Sequence, residues 1–336
     1  MSMSAVLVIG GGLAGCVTAL ELASRGIGTV IVEKDRRLGG KVRDYGCKAA
    51  SRCNQCGLCI VGDLWARVSE HSDIEVLTES RLVDLIGTKG NYKAVVRDKN
   101  GSRVIDGISD IVVSIGFDGA SSATSAQVQY SGGRGVISGL KLEQLLAQRG
   151  RHGIFDEAPS RIAFLQCFGS RDIQEKAPYC SRVCCGYSTR AARVIRHHYP
   201  ETEITFFYMD LQEVEGGTYF DVLKKENIEF IPCRPVSIVK GSPNRVLYEQ
   251  PGSGGRLVER EFDLIVLSEG IHPAADSDRI AEICTLGYDR NGFLKTISDS
   301  GKTGIYLAGC VSGPKKIPEV YAESLQVAQQ IWGGVR

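Results

Sequence analysis

Short apolar runs alternate with longer amphipathic stretches along the chain, and glycine-rich turns separate many of them. Short apolar runs are typical of buried parallel strands, and amphipathic stretches are typical of the helices that connect such strands. The first unit of this kind has strands over Ala5–Ile9 and 28–32 with a helix between them. The second has a strand at 161–166, a helix at 186–198 and a strand at 204–208. Two βαβ units predict an α/β protein with two Rossmann-type parallel sheets.

The order of these two units predicts how the chain is divided. A first nucleotide-binding domain is predicted over residues 1–145, a second over 146–272, and residues 273–336 return to the first. A strand that runs into a glycine turn at 304–310 and an amphipathic helix at 317–332 indicate the return segment. With 336 residues, the chain is long enough for two domains that each have a core.

Composition narrows the range of functions. The chain carries 40 basic and 39 acidic side chains, a net charge of +1, so no basic surface for nucleic acid is expected. No apolar run is long enough to cross a bilayer and no basic n-region opens the sequence, so we expect a cytoplasmic protein without a membrane span. Cysteine is frequent, with 12 residues, and in that compartment it favours metal or redox chemistry over structural disulfides.

The first βαβ unit carries a dinucleotide-binding fingerprint. Gly10, Gly12 and Gly15 have the G-x-G-x-x-G spacing, directly after a strand and directly before a helix. The first glycine allows the tight turn, the second lets the backbone approach a pyrophosphate, and the third lets helix and strand pack closely. Glu33 ends the second strand, where an acid accepts hydrogen bonds from the adenosine ribose. These four residues predict a bound dinucleotide.

Further elements resemble those of FAD-dependent pyridine nucleotide–disulfide reductases. That family has a double glycine after the acid, an Ala-Thr-Gly strand end, and a late glycine–aspartate element whose acid binds the ribitol of FAD. The residues that match here, with Val83 included as a further contact, are Lys34, Gly39, Gly40, Lys41, Gly116, Gly309 and Cys310. Cys310 replaces the aspartate, and a thiol is a weaker hydrogen-bonding group, so we expect backbone to supply the ribitol contact. The resemblance implies FAD as the cofactor.

The start of the last predicted helix is the expected flavin end of the site. Backbone N–H groups of a first helical turn, here from Ile317 onward, suit the negative charge of a reduced flavin. Lys315 and Lys316 are nearby cations, for which a solvated loop is an equally good interpretation.

Cysteines stand where the second βαβ unit would carry its glycine loop. Cys167, Cys180, Cys184 and Cys185 lie between the predicted strand and the predicted helix. Four thiolates are the usual ligands of a [4Fe–4S] cluster, and tetrahedral zinc takes the same ligands. The adjacent pair is unlike a zinc knuckle, in which two residues separate the cysteines, so a cluster is favoured. Loss of the glycine loop predicts poor NAD(P)H binding at this position.

A second group, Cys47, Cys53, Cys56 and Cys59, has three interpretations. C-x2-C-x2-C resembles part of a ferredoxin sequence, so these thiols are a candidate second set of cluster ligands. Cys53 and Cys56 are alternatively a redox or sulfur-handling thiol pair, because disulfide reductases carry such a pair after the first glycine loop. Simple buried thiols are the third interpretation.

The cysteine loop is very similar to the signature of a known family, the A-subunits of heterodisulfide reductases. The similar segments are 167–172 (CFGSRD), 178–185 (PYCSRVCC), 206–210 (FFYMD), 53–56 (CNQC) and 309–315. The resemblance covers essentially the whole chain. It implies a two-domain, thioredoxin-reductase-like flavoprotein that holds FAD and a [4Fe–4S] cluster on the four matching cysteines.

The same resemblance implies a homodimer that exchanges electrons with other subunits. Because the chain has no complete C-x2-C-x2-C-x3-C-P run, it resembles the short A-subunit of the heterodisulfide-reductase-like complex of sulfur-oxidising prokaryotes. Arg190 stands where the methanogen pattern has a lysine that reaches the flavin, so it is a candidate catalytic residue. Arginine keeps the charge but does not donate a proton near neutral pH, so we expect ordinary electron transfer and not bifurcation.

The expected function is that of an electron-transfer protein within such a complex, with FAD and an iron–sulfur cluster, in cytoplasmic oxidation of sulfane sulfur. One alternative is a stand-alone pyridine nucleotide–disulfide oxidoreductase with Cys53 and Cys56 as its dithiol. Another is a scaffold that docks a sulfur carrier and whose cofactors are vestigial. Cofactor content and NAD(P)H-dependent activity separate the three.

Overall fold

The chain folds into two compact units. The computed structural model describes residues 5–120, 135–149, 153–212, 223–298 and 301–334. Unit 1 comprises Met1–Arg43, Gly57–Asp118 and His272–Arg336. Unit 2 comprises Asp44–Cys56 and Gly119–Ile271. None of the helices in these described ranges is long and apolar enough to span a bilayer.

Strands and helices alternate through both units. In chain order, the strands are Ala5–Ile9 (β1), Thr29–Val32 (β2), Ile74–Leu77 (β3), Arg81–Thr88 (β4), Asn91–Asp98 (β5), Gly101–Val113 (β6), Phe117–Gly119 (β7), Val136–Ser138 (β8), Arg161–Phe168 (β9), Glu203–Tyr208 (β10), Ile228–Pro232 (β11), Ser237–Val239 (β12), Asn244–Glu249 (β13), Leu257–Phe262 (β14), Leu264–Glu269 (β15), Ile271–Pro273 (β16), Gly287–Tyr288 (β17), Leu294–Lys295 (β18) and Ile305–Leu307 (β19). The α-helices are Leu13–Ala23 (α1), Leu64–Glu70 (α2), Gly139–Arg149 (α3), Cys184–His198 (α4), Ser277–Cys284 (α5) and Ile317–Gly334 (α6).

The main sheet of unit 1 combines a parallel part with an antiparallel meander. Its strand order is β3-β2-β1-β6-β5-β4, and β19 also pairs with β6. The long strand β6 joins the two parts: it pairs with β5 antiparallel through its first residues and with β1 and β19 parallel through its last. Strand β1 lies between two parallel neighbours, so its last four residues are all buried, as the continuous apolar run predicts.

Unit 2 is built on a wholly parallel sheet with the strand order β11-β10-β9-β15-β8. Two hydrophobic clusters pack against this sheet. One contains residues of α3 and α4, such as Leu142 and Ile195, and includes Phe164 stacked on Phe206 at 4.6 Å between ring centroids. The other contains residues of the antiparallel sheet β12-β13-β14. The predicted α/β fold with two Rossmann-type parallel sheets is confirmed.

A short segment before α2 belongs to unit 2 although unit 1 precedes and follows it in the chain. This segment, Asp44–Cys56, leaves unit 1 after the Gly39–Gly40 turn and returns to it at Gly57. Gly46 packs so closely on α3 that a Cβ atom there would lie 2.3 Å from the Cβ of Leu146. The segment therefore carries Cys47, Cys53 and Cys56 into the same unit as the cysteine loop.

Candidate functional site

The glycine loop of unit 1 connects β1 to α1 in a tight turn. Gly10 has a φ of +102°, which strongly favours glycine. A Cβ atom at Gly15 would lie 2.0 Å from the Gly10 carbonyl oxygen, so helix and loop pack as closely as the fingerprint predicts. Ser114, at the end of β6, donates a hydrogen bond to the same carbonyl at 2.8 Å. By contrast, a Cβ atom at Gly12 would meet nothing within 4 Å, so space lies in front of the loop.

Glu33 lies across this loop and is held in place by backbone donors. Its carboxylate accepts hydrogen bonds from the N–H of Gly11 at 2.6 Å and from the N–H of Asp35 at 2.8 Å. Burial raises the pKa of Glu33, against the lowering effect of these two donors. Each carboxylate oxygen has a second lone pair, so Glu33 can still accept hydrogen bonds from a ribose. Sequence reasoning missed Gly11, where a Cβ atom would lie 2.4 Å from Leu38.

The predicted double glycine lies directly against the first glycine loop. The N–H of Gly39 donates to the Gly11 carbonyl oxygen at 2.8 Å, and a Cβ atom at Gly40 would lie 3.2 Å from the Gly12 Cα. Both residues have positive φ, +117° for Gly39 and +52° for Gly40. The two glycine turns therefore form one backbone-lined cradle.

The other predicted contacts near the acid are charged or lie at a bulge. Lys34 pairs with Asp276 at 3.4 Å, and Lys41 pairs with Asp118 at 3.2 Å. Burial would raise the pKa of Asp118, but the N–H of Ala275 and the Lys41 ammonium outweigh burial and lower this pKa. Val83 is the residue at which the β4–β5 register shifts.

The late elements of unit 1 form turns around the first helices. Gly116 and Gly309 have φ of +77° and +83°, and a Cβ atom at Gly309 would lie 2.9 Å from the Cβ of Ala14. Cys310 is buried, and burial raises the pKa of its thiol to about 11. Ile317 is the first residue of α6.

Lys315 is part of this turn and not of a solvated loop. Its ammonium donates to the Gly309 carbonyl oxygen at 2.9 Å and pairs with Glu323 at 3.3 Å. Glu323 also accepts the Gly309 N–H at 2.7 Å, so one ion pair binds both backbone groups of that glycine.

These features fit a dinucleotide whose pyrophosphate lies over the glycine cradle. Helix α1 has no side-chain cap at Gly12 and no acidic residue in its first turn, so its N-terminus suits an anion. Gly12 and Gly116 both have room for a ligand beside their backbone.

The cysteine loop of unit 2 connects β9 to α4 and brings its four thiols together. Cys167 is the penultimate residue of β9 and has a φ of +59°, an uncommon conformation for a residue with a side chain. Cys184 and Cys185 begin α4. These three thiols are buried, whereas Cys180, in the loop between them, is partly exposed. The sequence-predicted ligands therefore converge at the carboxyl end of the parallel sheet.

The thiols interact with one another and with one cation. The Cys184 thiol forms hydrogen bonds with Cys167 and Cys185, which raise the pKa of Cys184 and lower those of its two neighbours. The Cys184 hydrogen bond and then the Arg171 guanidinium bring the pKa of Cys167 to about 7. Arg171 in turn forms an ion pair with Asp210. Mutual contact and a nearby cation suit a group that binds thiolates.

The thiols are not arranged as ligands of one ion. Among the described residues, no three Cys, His, Asp or Glu side chains converge on a point as a single metal ion requires. In a [4Fe–4S] cluster each thiolate binds a different iron, so its ligands surround the cluster and do not meet at a point.

Hydroxyl groups that sequence reasoning missed fasten the cysteine loop to Ile271, the first residue of β16. Tyr179 donates to the Ile271 carbonyl oxygen at 3.0 Å, and Ser181 accepts the Ile271 N–H at 2.8 Å. Ser181 also shares a 2.6 Å hydrogen bond with Ser170. Gly270 is needed here, because a Cβ atom would lie 1.8 Å from the Ser170 hydroxyl. Both neighbours of Cys180 therefore bind the same backbone residue, Ile271.

The second cysteine group is split between the units. Cys47, Cys53 and Cys56 lie in unit 2, whereas Cys59 lies in unit 1, in the 3-10 turn Leu58–Ile60. Cys47, Cys53 and Cys59 are exposed and Cys56 is partly exposed, so the interpretation of these residues as simple buried thiols is wrong. The N–H of Gln55 donates to the Cys53 sulfur at 3.4 Å.

Arg190 lies on α4 and binds the turn between Cys53 and Cys56. Its guanidinium donates to the carbonyl oxygens of Asn54 at 2.7 Å and Gln55 at 3.1 Å. It also donates to the Gly186 carbonyl oxygen, one turn earlier on its own helix, at 3.2 Å. Within unit 2, this predicted catalytic residue thus contacts the second cysteine group.

Comparisons with known proteins concern the glycine loop of unit 1 and the chain as a whole. Residues 8–58 match the NAD(P)-binding Rossmann-like domain family. The chain is 28% identical to the second iron-sulfur A-subunit of the CoB–CoM heterodisulfide reductase of Methanopyrus kandleri, over 96% of this chain and 63% of that protein. It is 27% identical to the A-subunit of the H2:CoB-CoM heterodisulfide,ferredoxin reductase of Methanothermobacter thermautotrophicus, over 95% and 62%. The chain therefore spans somewhat less than two thirds of the length of these relatives.

Solved structures with the same fold include thioredoxin reductases. The enzyme from T. acidophilum superposes with a TM-score of 0.68 at 15% identity, over 99% of this chain and 98% of that one. The enzyme from Lactococcus lactis superposes with a TM-score of 0.65 at 17% identity, over 99% of each chain. The predicted thioredoxin-reductase-like fold is confirmed. Over nearly the whole chain, the sequence is similar to the A-subunits of heterodisulfide reductases.

Proposed function

We propose that this chain is an electron-transfer oxidoreductase subunit that holds FAD in unit 1 and a [4Fe–4S] cluster in unit 2. The observation that carries the proposal is the loop between β9 and α4. Four cysteines occupy the position of a second phosphate-binding loop, and three of them are buried and hydrogen-bonded to one another. The family and its named reductase relatives support redox chemistry.

Unit 1 supplies the residues that would bind FAD. Gly10, Gly12 and Gly15 with Gly39 and Gly40 form the cradle for the pyrophosphate, and Glu33 accepts from the adenosine ribose. When bound, FAD exchanges one or two electrons with its partners. Lys34, Lys41, Val83, Gly116, Gly309, Cys310 and Ile317 are the further proposed contacts.

Cys167, Cys180, Cys184 and Cys185 would hold the cluster. A cluster on four thiolates carries single electrons at a potential set by net charge, sulfur hydrogen bonds and exposure. Arg171 places a positive charge beside Cys167, and the Arg182 N–H donates to the Cys180 sulfur at 3.3 Å. Both contacts stabilise extra negative charge, so they raise the reduction potential of the site.

Nicotinamide is not the proposed electron donor at unit 2. A glycine loop after β9 would offer backbone N–H groups to a pyrophosphate, and here the loop offers sulfur instead. We expect NADH and NADPH to reduce the flavin slowly in stopped-flow absorbance. Rapid reduction of flavin by either nucleotide would contradict this part of the proposal.

The physiological setting follows from the family and is part of the proposal. The relatives are A-subunits of heterodisulfide reductases, so we propose other subunits of such a complex as electron partners and a homodimer as the assembly. Cytoplasmic oxidation of sulfane sulfur is the proposed process, because the chain resembles the short A-subunit of sulfur-oxidising prokaryotes. Analytical ultracentrifugation and affinity capture of the neighbouring subunits test the assembly.

A direct test of the redox function is an anoxic titration of the loaded protein. Stepwise reduction with dithionite should bleach the flavin band and produce the electron paramagnetic resonance signal of a reduced [4Fe–4S] cluster. In Cys180→Ser the cluster signal should be lost or altered while the flavin still titrates. A wild-type titration with flavin changes alone would reject the cluster.

The second candidate is a disulfide oxidoreductase that uses Cys53 and Cys56. The observation in its favour is that Cys53 is exposed and Cys56 is partly exposed, so disulfides in solution have access to the pair. If the isolated chain reduced disulfides with NAD(P)H and Cys53→Ser abolished that activity, this candidate would replace the first.

A further inference from the structure

Two arginines of α4 hold one short turn of unit 2. The turn is Cys53–Cys56, and Arg190 binds the carbonyl oxygens of both residues inside it. Arg193, three residues further along the helix, donates to the side-chain oxygen of Asn54 at 2.5 Å. Residues three apart on a helix lie on the same face, so both guanidinium groups reach the same turn.

Each group that holds the turn is itself fixed by a partner. Arg193 is paired with Glu226 at 2.8 Å, and its side chain is only 10% exposed. The side-chain amide of Asn54 donates to the Lys48 carbonyl oxygen at 2.6 Å. Lys48 and Glu143 form a buried ion pair at 2.6 Å, with side chains 5% and 8% exposed. The turn is therefore fastened to α3 and α4 through charged groups on both sides.

Burying these charged groups costs more free energy than anchoring a surface loop requires. Removing charged groups from water costs free energy, and apolar contacts of similar size would hold a loop equally well. What charged groups add is a fixed geometry, because guanidinium and carboxamide bonds are directional. Here the directional bonds fix the backbone of the Cys53–Cys56 turn, which has a cysteine thiol at each end.

We propose that Arg190 and Arg193 are positioning residues that hold Cys53 and Cys56 as a redox thiol pair for small-molecule disulfides. The inference deepens the thiol-pair candidate described above, and the iron content of Cys53→Ser tests it against a second cluster. Cys53 is exposed and is the thiol to which an incoming disulfide has access.

The exchange reaction balances with glutathione disulfide as the oxidant. The Cys53 thiolate attacks one sulfur of glutathione disulfide, which forms a mixed disulfide and releases one glutathione thiolate. The Cys56 thiolate then attacks the Cys53 sulfur, which closes the Cys53–Cys56 disulfide and releases the second glutathione. Two thiols are oxidised, one disulfide is reduced, and the two protons go to the released thiolates.

A fixed turn favours the second of these steps. Holding the two residues between the thiols raises the effective concentration of Cys56 at the Cys53 sulfur, because less conformational entropy is lost on ring closure. Loosening the turn lowers the equilibrium constant for the internal disulfide and leaves more of the mixed disulfide. The expected decrease is about tenfold, which is about 30 mV for a two-electron couple.

The test is a glutathione titration of the cluster-free protein, read by differential alkylation and mass spectrometry of the peptide that contains Cys53 and Cys56. Arg193→Met, Arg190→Met and the milder Asn54→Ala should each lower the internal disulfide constant. Arg190→Lys, which keeps the charge, should restore part of it. Arg245→Met removes an exposed guanidinium paired with Glu259 in the same unit, and should leave the constant unchanged.

Two results would overturn the inference. One is a wild-type protein that forms mixed glutathione disulfides but no Cys53–Cys56 disulfide. The other is a constant within twofold of wild type in Arg193→Met and Asn54→Ala. A third measurement decides against a second cluster: Cys53→Ser should retain the full iron content of the reconstituted wild type, and a loss of iron would contradict the thiol pair. Because the titration needs neither FAD nor iron, its outcome is independent of the electron-transfer proposal.

Discussion

The loop after β1 and the loop after β9 occupy the same place in two similar βαβ units, and they offer different groups to a ligand. Each follows a buried apolar strand, and each junction contains a residue of positive φ: Gly10 at +102° directly after β1, and Cys167 at +59° as the penultimate residue of β9. The first loop reaches its helix at Leu13 and presents backbone N–H groups. The second reaches its helix only at Cys184 and presents thiols. The same scaffold therefore presents backbone N–H groups in one unit and thiols in the other.

The difference lies in what holds each loop. Backbone contact holds the glycine loop, since Gly10, Gly15 and Gly39 leave no room for side chains. Side-chain hydrogen bonds hold the longer cysteine loop, from Tyr179 and Ser181 to Ile271. The glycine loop is therefore sensitive to atoms added at Gly10 or Gly15, whereas the cysteine loop is sensitive to the loss of particular atoms.

The largest expected effect comes from removing one thiol of the second loop. Cys184→Ser should lose most of its iron, because this thiol contacts two other proposed ligands, while FAD content stays near that of wild type. Iron and flavin assays on anoxically reconstituted protein check this. Cys284→Ala removes a buried thiol of unit 1 and is the matched control, with full iron content expected. Equal iron content in Cys184→Ser and wild type would contradict the proposal that the cysteine loop binds iron.

The second effect comes from adding one atom to the first loop. Gly15→Ala places a Cβ atom 2.0 Å from the Gly10 carbonyl oxygen, so the helix must move away from the cradle. We expect FAD affinity to fall by about tenfold, with iron content unchanged. Gly28→Ala is the control, because a Cβ atom there meets nothing within 4 Å. Fluorescence titration with FAD measures both, and unchanged affinity in Gly15→Ala would contradict the packing argument.

The smallest effect comes from loosening the second loop without touching a thiol. Ser181→Ala leaves the buried Ile271 N–H without its acceptor, at a cost of about 1–3 kcal/mol. We expect faster amide exchange at Ile271 and faster loss of iron in air, and Ser181→Thr should restore both. If Ser181→Ala retained iron as long as wild type, the hydroxyl groups would have no part in holding Cys180.

The sequence predicts those features of the molecule that have a local pattern. Neighbouring residues are enough to predict the strand β1, the glycine spacing and the run from Cys167 to Cys185. They are also enough to predict the fold class. The hydrogen bonds from the cysteine loop to Ile271 could not be predicted from neighbouring residues, because serine and tyrosine are common on protein surfaces and most of them make no such contact. Lys315 shows the same limit, since its partner Glu323 lies on a different element.

The placement of the second cysteine group depends on distant residues. Nothing near residues 44–56 indicates that this segment leaves unit 1, because its anchors are Glu143, Arg190 and Arg193, about a hundred residues or more further along the chain. Within the segment itself, the unusual feature is that two polar residues, Lys48 and Asn54, are buried in the structure, whereas polar residues of a surface loop are usually exposed. Arg190 and Arg193 are three residues apart on a helix, and that spacing gains meaning only when the turn they hold is known.

If the two equivalent loops bind different cofactors, as proposed, one preparation of the protein should contain both, and its cofactor content can be measured directly. The chain should be purified without oxygen, reconstituted with iron, sulfide and FAD, desalted, and assayed for all three. We expect the reconstituted protein to contain about one FAD, four iron and four sulfide per chain. FAD without iron or sulfide would contradict it, since the cysteine loop would then bind no cluster.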